Sequence, residues 1–529
     1  MHRRTFLKNS AIGIGALAGM YGGVLEVQGE SSDREPVVIA HPGFRALQVD
    51  ADKIVGTIHS FQGVNGAPVP VMVGLPNLVR QYRELRVSQV RTHDLMGPAD
   101  VDSKFEWTNK ELIDLIPDSA QRAAVVKAGN ASIIFPDMSA DPEKPESYNF
   151  GPTDKVLAAI RASGAEVYYR VGRSYGADYS PPADFDKYAE VVKHIAMHYN
   201  QGWANGFHYQ IRYWEFWNEP EGFWTGTPEQ FYSLYEKTAR ALKSTGPTLK
   251  VGGNGQEKPN GGGPYREGFF DYCAARNVPL DFYSWHHYAR AGDPYDAVRL
   301  ARQVRSVLDA HGFPNAESIL SEWNSTPDYR KDAKAELESA RNAAYIGAVL
   351  CYFQNAPIDK AHFYRGDAAW MGLFDLQGQY FKTAYTFKAV GEMLDTPQRL
   401  AVEGTDTFGF AALAGRSADS KTVQIFIANY AIPDSEMVKT HAAGAQTSAP
   451  HGYRWLSPRT DIVYRDNAGY DLTVSNLPWD KNAFSLRRYR LNATQNLELV
   501  ERKSGSGGSM RLSHPMPTDT VELIVLERI

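Results

Sequence analysis

The sequence predicts an α/β fold, a (β/α)8 TIM barrel with an accessory β-sandwich domain. From about Asp50 to Leu394, short apolar or aromatic runs alternate with longer stretches of helical period, which is typical of a parallel sheet with crossover helices. Eight such pairs can be counted, and eight pairs close naturally into a barrel. Beyond about Gln398, alternating strand-like runs broken by turns replace this pattern, and they indicate a sandwich.

Each predicted barrel strand is a short run of apolar or aromatic residues. The strands are Ile54–Gln62, Gln89–His93, Glu166–Gly172, Ile211–Trp217, Leu249–Gly253, Phe282–His286, Ser318–Ser321 and Ala361–Tyr364. The helix after the fourth strand is the best marked, because Thr227 can cap it, Pro228 suits its first position and Gln230 completes a capping box. The stretch Asp296–His311 has the same helical period and ends at Gly312.

Three regions follow from these patterns. We predict a signal peptide and linker at residues 1–35, the catalytic barrel at 36–397 and the sandwich at 398–529. The strand-like segment Pro36–Val49 is the uncertain part of this division, and it fits either the barrel or the sandwich.

The N-terminus has the composition of an export signal. Arg3 and Arg4 precede an apolar, Gly/Ala-rich run from Ala11 to about Gly23, which is short for a bilayer span. The segment resembles a twin-arginine signal, so we expect a periplasmic or secreted bacterial protein. An uncleaved membrane anchor is the alternative.

Composition excludes several classes of protein. With 43% apolar residues, 22% charged residues and a net charge of −5, the chain matches a globular protein without a nucleic-acid footprint. Its two cysteines, Cys273 and Cys351, cannot form a disulfide framework or a cysteine-rich metal site.

We expect no cofactor and no metal. The adjacent His286 and His287 point to opposite faces of a strand and have no third ligand at zinc-like spacing. The oligomeric state is not readable.

Two glutamates carry the chemistry. Glu219, in Trp-Asn-Glu-Pro, follows the fourth predicted strand, and Glu322, in Ser-Glu-Trp-Asn, ends the seventh. Catalytic groups of such barrels come from the carboxyl ends of strands, so the two can face each other across the mouth. A facing pair is what retaining cleavage of a glycosidic bond needs, with Glu219 as acid/base and Glu322 as nucleophile. Asn218 is placed to bind a sugar hydroxyl.

The chain resembles glycoside hydrolase family 39 of the (β/α)8 clan A, the group of β-xylosidases and α-L-iduronidases. The resemblance runs from roughly Val55 to Leu394. Besides the two glutamate motifs, it rests on four further segments in family-like order and spacing. These are Arg91-Thr92-His93-Asp94, Phe135-Pro136-Asp137, Tyr148-Asn149-Phe150 and Ser284-Trp285-His286-His287-Tyr288.

The resemblance implies a sugar subsite lined by His93, His286 and Tyr288, with Tyr288 able to keep the nucleophile ionised. Trp323, next to the nucleophile, and Trp370, after the last strand, are further candidates for contact with the sugar. The eighth strand ends in Tyr364-Arg365-Gly366-Asp367, which departs from the tryptophan-led run of the xylosidase members.

Cations at the predicted mouth raise the question of an acidic substrate. Arg365, Arg290, Arg173 and Lys258 fall on mouth-side loops, where a cation can grip the carboxylate of a uronic acid. A salt bridge within the loop is the alternative for each of them. The sequence therefore predicts a retaining hydrolase that is exo-acting on xylosyl- or uronyl-type residues of polysaccharide fragments. A non-catalytic carbohydrate-binding barrel and a transglycosylase of the same fold are the alternatives.

Overall fold

The computed structural model describes most of the chain from residue 43 onward. The described ranges are residues 43–69, 76–102, 118–257, 259, 262–289, 292–325, 331–368, 371–432, 459, 468–479 and 482–529. The predicted export signal, Lys258, Arg290 and Trp370 lie outside these ranges, so the hypotheses about them stay predictions.

The strands in chain order are β1 (Phe44–Thr57), β2 (Gly63–Asn65), β3 (Gln89–Arg91), β4 (Glu166–Val171), β5 (Tyr213–Phe216), β6 (Lys250–Gln256), β7 (Phe282–Tyr288), β8 (Glu317–Asn324), β9 (Lys360–Phe363), β10 (Gln398–Glu403), β11 (Phe410–Arg416), β12 (Thr422–Asn429), β13 (Gly469–Ser475), β14 (Ala483–Leu491), β15 (Asn496–Ser506), β16 (Met510–Pro515) and β17 (Thr520–Arg528).

The α-helices are α1 (Val79–Glu84), α2 (Ser119–Asn130), α3 (Gly151–Ala162), α4 (Phe185–Gln201), α5 (Pro220–Phe223), α6 (Pro228–Thr245), α7 (Phe269–Arg276), α8 (Asp296–Ala310), α9 (Lys331–Leu337), α10 (Ala340–Phe353) and α11 (Lys382–Glu392). Across the described part of the chain, no helix is long and apolar enough to cross a membrane.

A closed parallel barrel forms the first domain, which confirms the predicted fold class. In the ranges that the structure describes, its eight strands run from β2 to β9 in chain order. The helix after β5 begins as predicted, because the Thr227 side chain accepts from the Gln230 amide while the Gln230 side chain accepts from the Thr227 amide. This helix, α6, buries Phe231, Tyr235, Ala239 and Leu242.

The first predicted barrel strand was wrong. The apolar run at Ile54 belongs to β1, which pairs antiparallel with β10 and parallel with β13 in the other sheet. Ile54 and Val55 are about half exposed, at 46% and 47%. The barrel strand follows at Gly63–Asn65, where three residues are too few to show a period.

The second domain is built on a sheet that curls over itself. Among described residues it has nine strands in the order β15-β14-β17-β12-β11-β10-β1-β13-β16. Leu47 and Leu472 from one half share a hydrophobic cluster with Ile425 and Ile524 from the other half, as in a sandwich. The opposite face packs on the barrel at α10, where a Cβ on Gly347 would lie 3.0 Å from the Phe426 ring.

Candidate active site

The two predicted catalytic glutamates meet at the carboxyl end of the barrel. One oxygen of Glu219, one oxygen of Glu322 and a ring nitrogen of His286 lie within 4.8 Å of one another. Retaining glycosidases hold their two carboxyl groups about 5–5.5 Å apart, so that one can attack while the other protonates. The spacing therefore fits direct attack by one carboxylate.

Glu219 sits on an unusual backbone. Trp217 and Glu219 both adopt left-handed conformations, with φ of 68° and 44°. Such conformations cost energy in non-glycine residues and persist where neighbours enforce them. Here the Glu219 amide donates to the Gly255 carbonyl at 2.9 Å, and the Glu219 carbonyl accepts from the Phe223 amide at the end of α5. The loop after β5 is thus fixed by β6 on one side and by a short helix on the other.

A β-bulge aims Glu322 into the barrel. Against β7, Leu320 pairs with Trp285 and Glu322 pairs with His286, so Ser321 is an extra residue in β8. An extra residue reverses the alternation of side chains beyond it. Glu322 consequently faces the interior, while Trp323 faces the helices.

Trp323 is not part of the sugar site, contrary to the sequence expectation. Its ring packs edge-on against Phe353 of α10 and Phe363 of β9, at centroid distances of 5.1 and 5.3 Å. The side chain is almost fully buried in the layer between sheet and helices. The bulge at Ser321 is the reason, because the extra residue shifts the alternation by one position and turns Trp323 outward while Glu322 turns inward.

Arg91 joins both halves of the site. Its guanidinium donates to Glu322 Oε1 at 2.7 Å, to Glu215 Oε2 at 2.5 Å and to Asn218 Oδ1 at 2.7 Å. The arginine is fully buried and fully paired, which is the condition for a stable interior charge. Arg91 belongs to the motif Arg91-Thr92-His93-Asp94, and the signal for its role was an arginine placed inside a predicted barrel strand.

The Arg91–Asn218 bond also orients the catalytic loop. Because Asn218 Oδ1 accepts from Arg91, the amide nitrogen is the end left to donate to a sugar hydroxyl. Gly255 permits this close packing: a Cβ there would lie 3.2 Å from both Arg91 Nη2 and His286 Nε2. Gly255 also has a positive φ of 62°, so a side chain is disfavoured on two counts.

β7 supplies one partner to each glutamate. The contact of Tyr288 with Glu322 is the one expected from the sequence, whereas His286, expected in the sugar subsite, contacts Glu219. His286 Nδ1 lies 2.6 Å from Glu219 Oε1, and the Tyr288 hydroxyl donates to Glu322 Oε2 at 2.7 Å. Burial lowers the pKa of His286 to about 4, so the ring is neutral at physiological pH. The tyrosine hydrogen bond stabilises the ionised form of Glu322.

The two carboxyl groups differ in proton affinity. Burial raises the pKa of Glu219 well above its ordinary range, and the carboxylates of Glu257 and Glu221 raise it further. Burial also raises the pKa of Glu322, but His286, Arg91 and the Tyr288 hydroxyl oppose that shift. Glu219 is therefore the carboxyl group with the more strongly raised pKa.

His93 and Asp94 extend the site toward β9. His93 Nε2 lies 3.5 Å from Glu322 Oε1 and 3.4 Å from Asp94 Oδ1, and burial keeps the pKa of His93 well below its usual value. Asp94 accepts from the Tyr364 hydroxyl at 2.7 Å and from the Tyr175 amide at 2.8 Å. His93 thus lies beside the nucleophile, and its role in a sugar subsite stays a prediction; Asp94 and Tyr364 are additional polar groups next to it.

Two of the four cations predicted at the mouth, Arg365 and Arg173, are already paired within the protein. Arg365 donates to both carboxylate oxygens of Asp367, at 3.0 Å from Nε and 2.6 Å from Nη2. Arg173 is paired in the same way with Asp102, at 2.9 and 2.8 Å. Both guanidinium groups are neutralised within the protein, which argues against the interpretation that they grip a substrate carboxylate.

Comparison with known proteins agrees with this geometry. A barrel with two facing glutamates at its mouth defines the class of glycoside hydrolases. The family model for glycosyl hydrolases family 39 matches residues 155–362. The chain belongs to this family.

Individual relatives cover different shares of the chain. A β-xylosidase of Geobacillus stearothermophilus is 26% identical over 251 residues, which are 41% of this chain and 48% of that protein. The match thus spans about half the length of this relative. The crystal structure of a glucosidase from Croceicoccus marinus is 32% identical, with a TM-score of 0.77, and the alignment covers 92% of this chain and 99% of that one.

A third similar protein shares the fold at lower identity. The structure of a family 39 enzyme from Xanthomonas axonopodis pv. citri has a TM-score of 0.66 at 16% identity, covering 93% of this chain and 98% of that one. At this identity the likeness concerns the fold alone.

Proposed function

We propose that the protein is a retaining, exo-acting glycoside hydrolase for neutral β-linked pyranosyl residues. The observation that carries the mechanism is the short separation of Glu219 and Glu322, of which one oxygen each lies within 4.8 Å of the other. The stronger rise in the pKa of Glu219 supports it as the proton donor. An inverting enzyme would need its carboxyl groups about 6.5–9.5 Å apart to admit a water molecule.

The reaction uses two displacements. Glu322 attacks the anomeric carbon while Glu219 gives its proton to the leaving oxygen, which breaks the glycosidic bond and forms a glycosyl ester. The ester removes the charge of Glu322, so the pKa of Glu219 falls and Glu219 can accept a proton from water. That water attacks the same carbon, restores the Glu322 carboxylate and releases the sugar with its original configuration.

Neutral substrates are favoured by the charges at the mouth. Arg365 and Arg173 are committed to Asp367 and Asp102. The remaining charges near Glu219 include the carboxylates of Glu257 and Glu221, which would repel a uronate. The xylosidase and glucosidase named among the relatives support xylosyl or glucosyl residues over the uronyl alternative.

Exo action is supported by contacts between the loops that follow β2, β3 and β9. The Tyr364 hydroxyl reaches Asp94, and the Gly366 amide donates to the Asn65 carbonyl at 2.8 Å. These bonds join the loops next to His93, on the far side of the nucleophile from the proton donor. A pocket closed there accepts a terminal sugar and stops the chain from passing through.

A panel of 4-nitrophenyl β-xyloside, β-glucoside, α-L-arabinoside and β-glucuronide tests the substrate class, and NMR of the first-formed sugar tests the mechanism. We expect cleavage of the xyloside or glucoside with retention. An inverted product would contradict the double displacement, and preferred cleavage of the glucuronide would contradict the neutral substrate.

The variant Glu219→Ala tests whether Glu219, and not a neighbouring carboxylate, is the acid/base. Loss of general acid catalysis costs about 10²–10⁴ in rate with poor leaving groups and less with good ones. Added azide should restore turnover of an activated substrate by attacking the glycosyl ester, giving a glycosyl azide of retained configuration. Glu221→Ala is the matched control, for which azide should give no acceleration.

Transfer to an acceptor other than water is the second candidate, since the same ester can react with an alcohol. Product analysis with and without added methanol distinguishes the two. We expect free sugar to be the main product without acceptor. Failure to release free sugar would favour a transglycosylase.

We further propose that the protein is exported to the periplasm by the twin-arginine route. The arginine pair at Arg3-Arg4 and the short apolar run after it support this. Fractionation of bacteria that express the tagged full-length chain should find the protein in the periplasm, and replacing both arginines by lysine should retain it in the cytoplasm. Periplasmic protein in the double variant would contradict this route.

A further inference from the structure

Three partly exposed aromatic side chains form a cluster next to the proton donor. Phe223 makes an edge contact with Tyr175 at a centroid distance of 5.6 Å and a tilted contact with Tyr179 at 4.9 Å. All three are intermediate in exposure, so the cluster is not a closed core. Aromatic groups gathered at the mouth of a pocket are typical of ligand contact.

The backbone ties this cluster directly to the catalytic groups. Phe223 lies one helical turn after Glu219, and its amide donates to the Glu219 carbonyl at 2.9 Å. The Tyr175 amide donates to Asp94 at 2.8 Å. Burial raises the pKa of the Tyr179 hydroxyl, and the carboxylates of Asp94 and Glu219 contribute, which places the ring within electrostatic range of both.

The chemistry of the reaction determines on which side of the pocket the leaving group lies. Because Glu219 protonates the leaving oxygen, the departing part of the substrate lies on the Glu219 side, beyond the bond that breaks. The hydrogen bonds that join the end of β2 and the loop after β3 to the loop after β9 lie on the other side. The aromatic cluster follows β4 and β5 and therefore borders the space of the leaving group.

We propose that Tyr175, Tyr179 and Phe223 form a leaving-group subsite that binds the flat apolar face of a ring, either a second sugar or an aromatic aglycone. This inference rests on the proposed function. Aromatic rings bury the C–H face of a pyranose while the sugar hydroxyls stay at the polar rim. The geometry of the cluster is also rigid: the Tyr179 hydroxyl accepts from the Gly176 amide at 2.6 Å, and the Tyr179 carbonyl accepts from the Thr225 amide at 3.1 Å.

Substrates that share the same sugar but carry different leaving groups test the subsite. The set is the glycosyl fluoride, whose leaving group has no ring, the 4-nitrophenyl glycoside and the β-linked disaccharide, made with xylose and with glucose. The variants are Phe223→Leu and Tyr175→Leu on two separate loops, with Phe223→Tyr as the control that keeps the ring.

The measured quantity is kcat/KM for each ring-bearing substrate divided by kcat/KM for the fluoride. We expect Phe223→Leu and Tyr175→Leu each to lower this ratio by about tenfold, the upper end of a single aromatic contact, and Phe223→Tyr to keep it near the wild-type value. A fall for the disaccharide alone identifies a sugar as the occupant, and a fall for the aryl glycoside alone identifies an aromatic aglycone.

An unchanged ratio in both leucine variants would overturn the subsite, as would equal losses on the fluoride and on the ring-bearing substrates. In both cases the wild type still cleaves the fluoride, so the proposed function survives. Wild-type protein that cleaves no fluoride of either sugar would overturn the proposed function itself, and with it this subsite.

Discussion

Arg91 and Glu322 are joined inside the barrel by a bond of 2.7 Å from a guanidinium nitrogen to the carboxylate, with both side chains buried. The same guanidinium holds Glu215 at 2.5 Å. One interior cation thus balances two interior carboxylates, and it links a structural residue to the nucleophile. The charge of Glu322 therefore depends on Arg91, a residue that does not contact the reacting bond.

Replacing Arg91 by Met should reduce both stability and activity. Two buried carboxylates lose their cation, so we expect the free energy of unfolding in urea to fall by about 3–5 kcal/mol at pH 7. The pKa of Glu322 should rise, and because the nucleophile must be ionised, the acid limb of kcat/KM should move to higher pH.

Glu215→Gln in the Arg91→Met background is the control for this prediction. It removes one unpaired charge and should restore part of the stability while leaving the acid limb displaced. An Arg91→Met variant with a wild-type acid limb would show that Arg91 does not tune the nucleophile.

Glu219→Gln should stabilise the protein at alkaline pH. The folded-state pKa of Glu219 is raised above its unfolded value, so the carboxyl binds its proton more tightly in the folded protein. Its contribution to stability is complete below the unfolded pKa, about 4.3, and is lost as pH rises through the folded pKa. Above that value the wild type carries a buried charge that glutamine lacks.

Thermal unfolding at pH 5, 7 and 9 measures this effect. We expect the melting temperature of Glu219→Gln to exceed that of the wild type most at pH 9 and least at pH 5. Glu403→Gln, an exposed carboxylate on β10, should give no gain that grows with pH. A constant difference across the three pH values would contradict the raised pKa.

Local pattern was enough to predict the barrel and the two glutamates. Strand ends and helix caps depend on a few adjacent residues, as in the capping box of Thr227 and Gln230, and the catalytic motifs follow two of those strands. Pairing between distant segments was not readable in the same way. Ile54 looks like a barrel residue until β1 is seen to pair with β10, whose sequence lies far along the chain.

The site residues show the same contrast between what local pattern predicts and what only the folded structure shows. His286 and Tyr288 alternate regularly along β7, so their common direction follows from the period of a strand. The bulge at Ser321 breaks that period in β8 and has no signature in Ser-Glu-Trp-Asn. Arg365 carries a charge that suggested a ligand, but only the folded loop shows that Asp367, two residues later, takes it.

Trp323→Ala should act on stability and not on substrate affinity. Removing a buried indole from between Phe353 and Phe363 should lower the free energy of unfolding by about 3–5 kcal/mol. KM for an aryl glycoside should stay close to wild type, measured at a temperature where the variant is folded. Trp323→Phe should lose less stability. A large rise in KM without loss of stability would return Trp323 to the sugar site.

Arg459, which lies between β12 and β13 in the sequence, forms an ion pair with the barrel. It donates to both carboxylate oxygens of Asp293, at 2.8 and 2.7 Å, and to the Thr407 hydroxyl at 2.8 Å. Its guanidinium lies over the rings of Tyr295 and Phe408, at 5.3 and 4.8 Å from their centroids. Asp293 follows β7, so the contact joins the second domain to a loop on the catalytic side of the barrel.

Arg459→Ala should destabilise the protein by about 3 kcal/mol, because Asp293 is left buried without its cation. Adding Asp293→Asn removes the unpaired buried charge and should recover most of the lost stability. A double-mutant cycle by urea unfolding would measure this as a coupling of the two residues.

Arg302→Ala is the matched control, because it removes another guanidinium over the Tyr295 ring but leaves Asp293 paired. It should cost well under 1 kcal/mol. If the Arg459→Ala and Asp293→Asn losses simply add, the two side chains do not act as a pair, and the link between the domains rests on the apolar contacts at α10 instead.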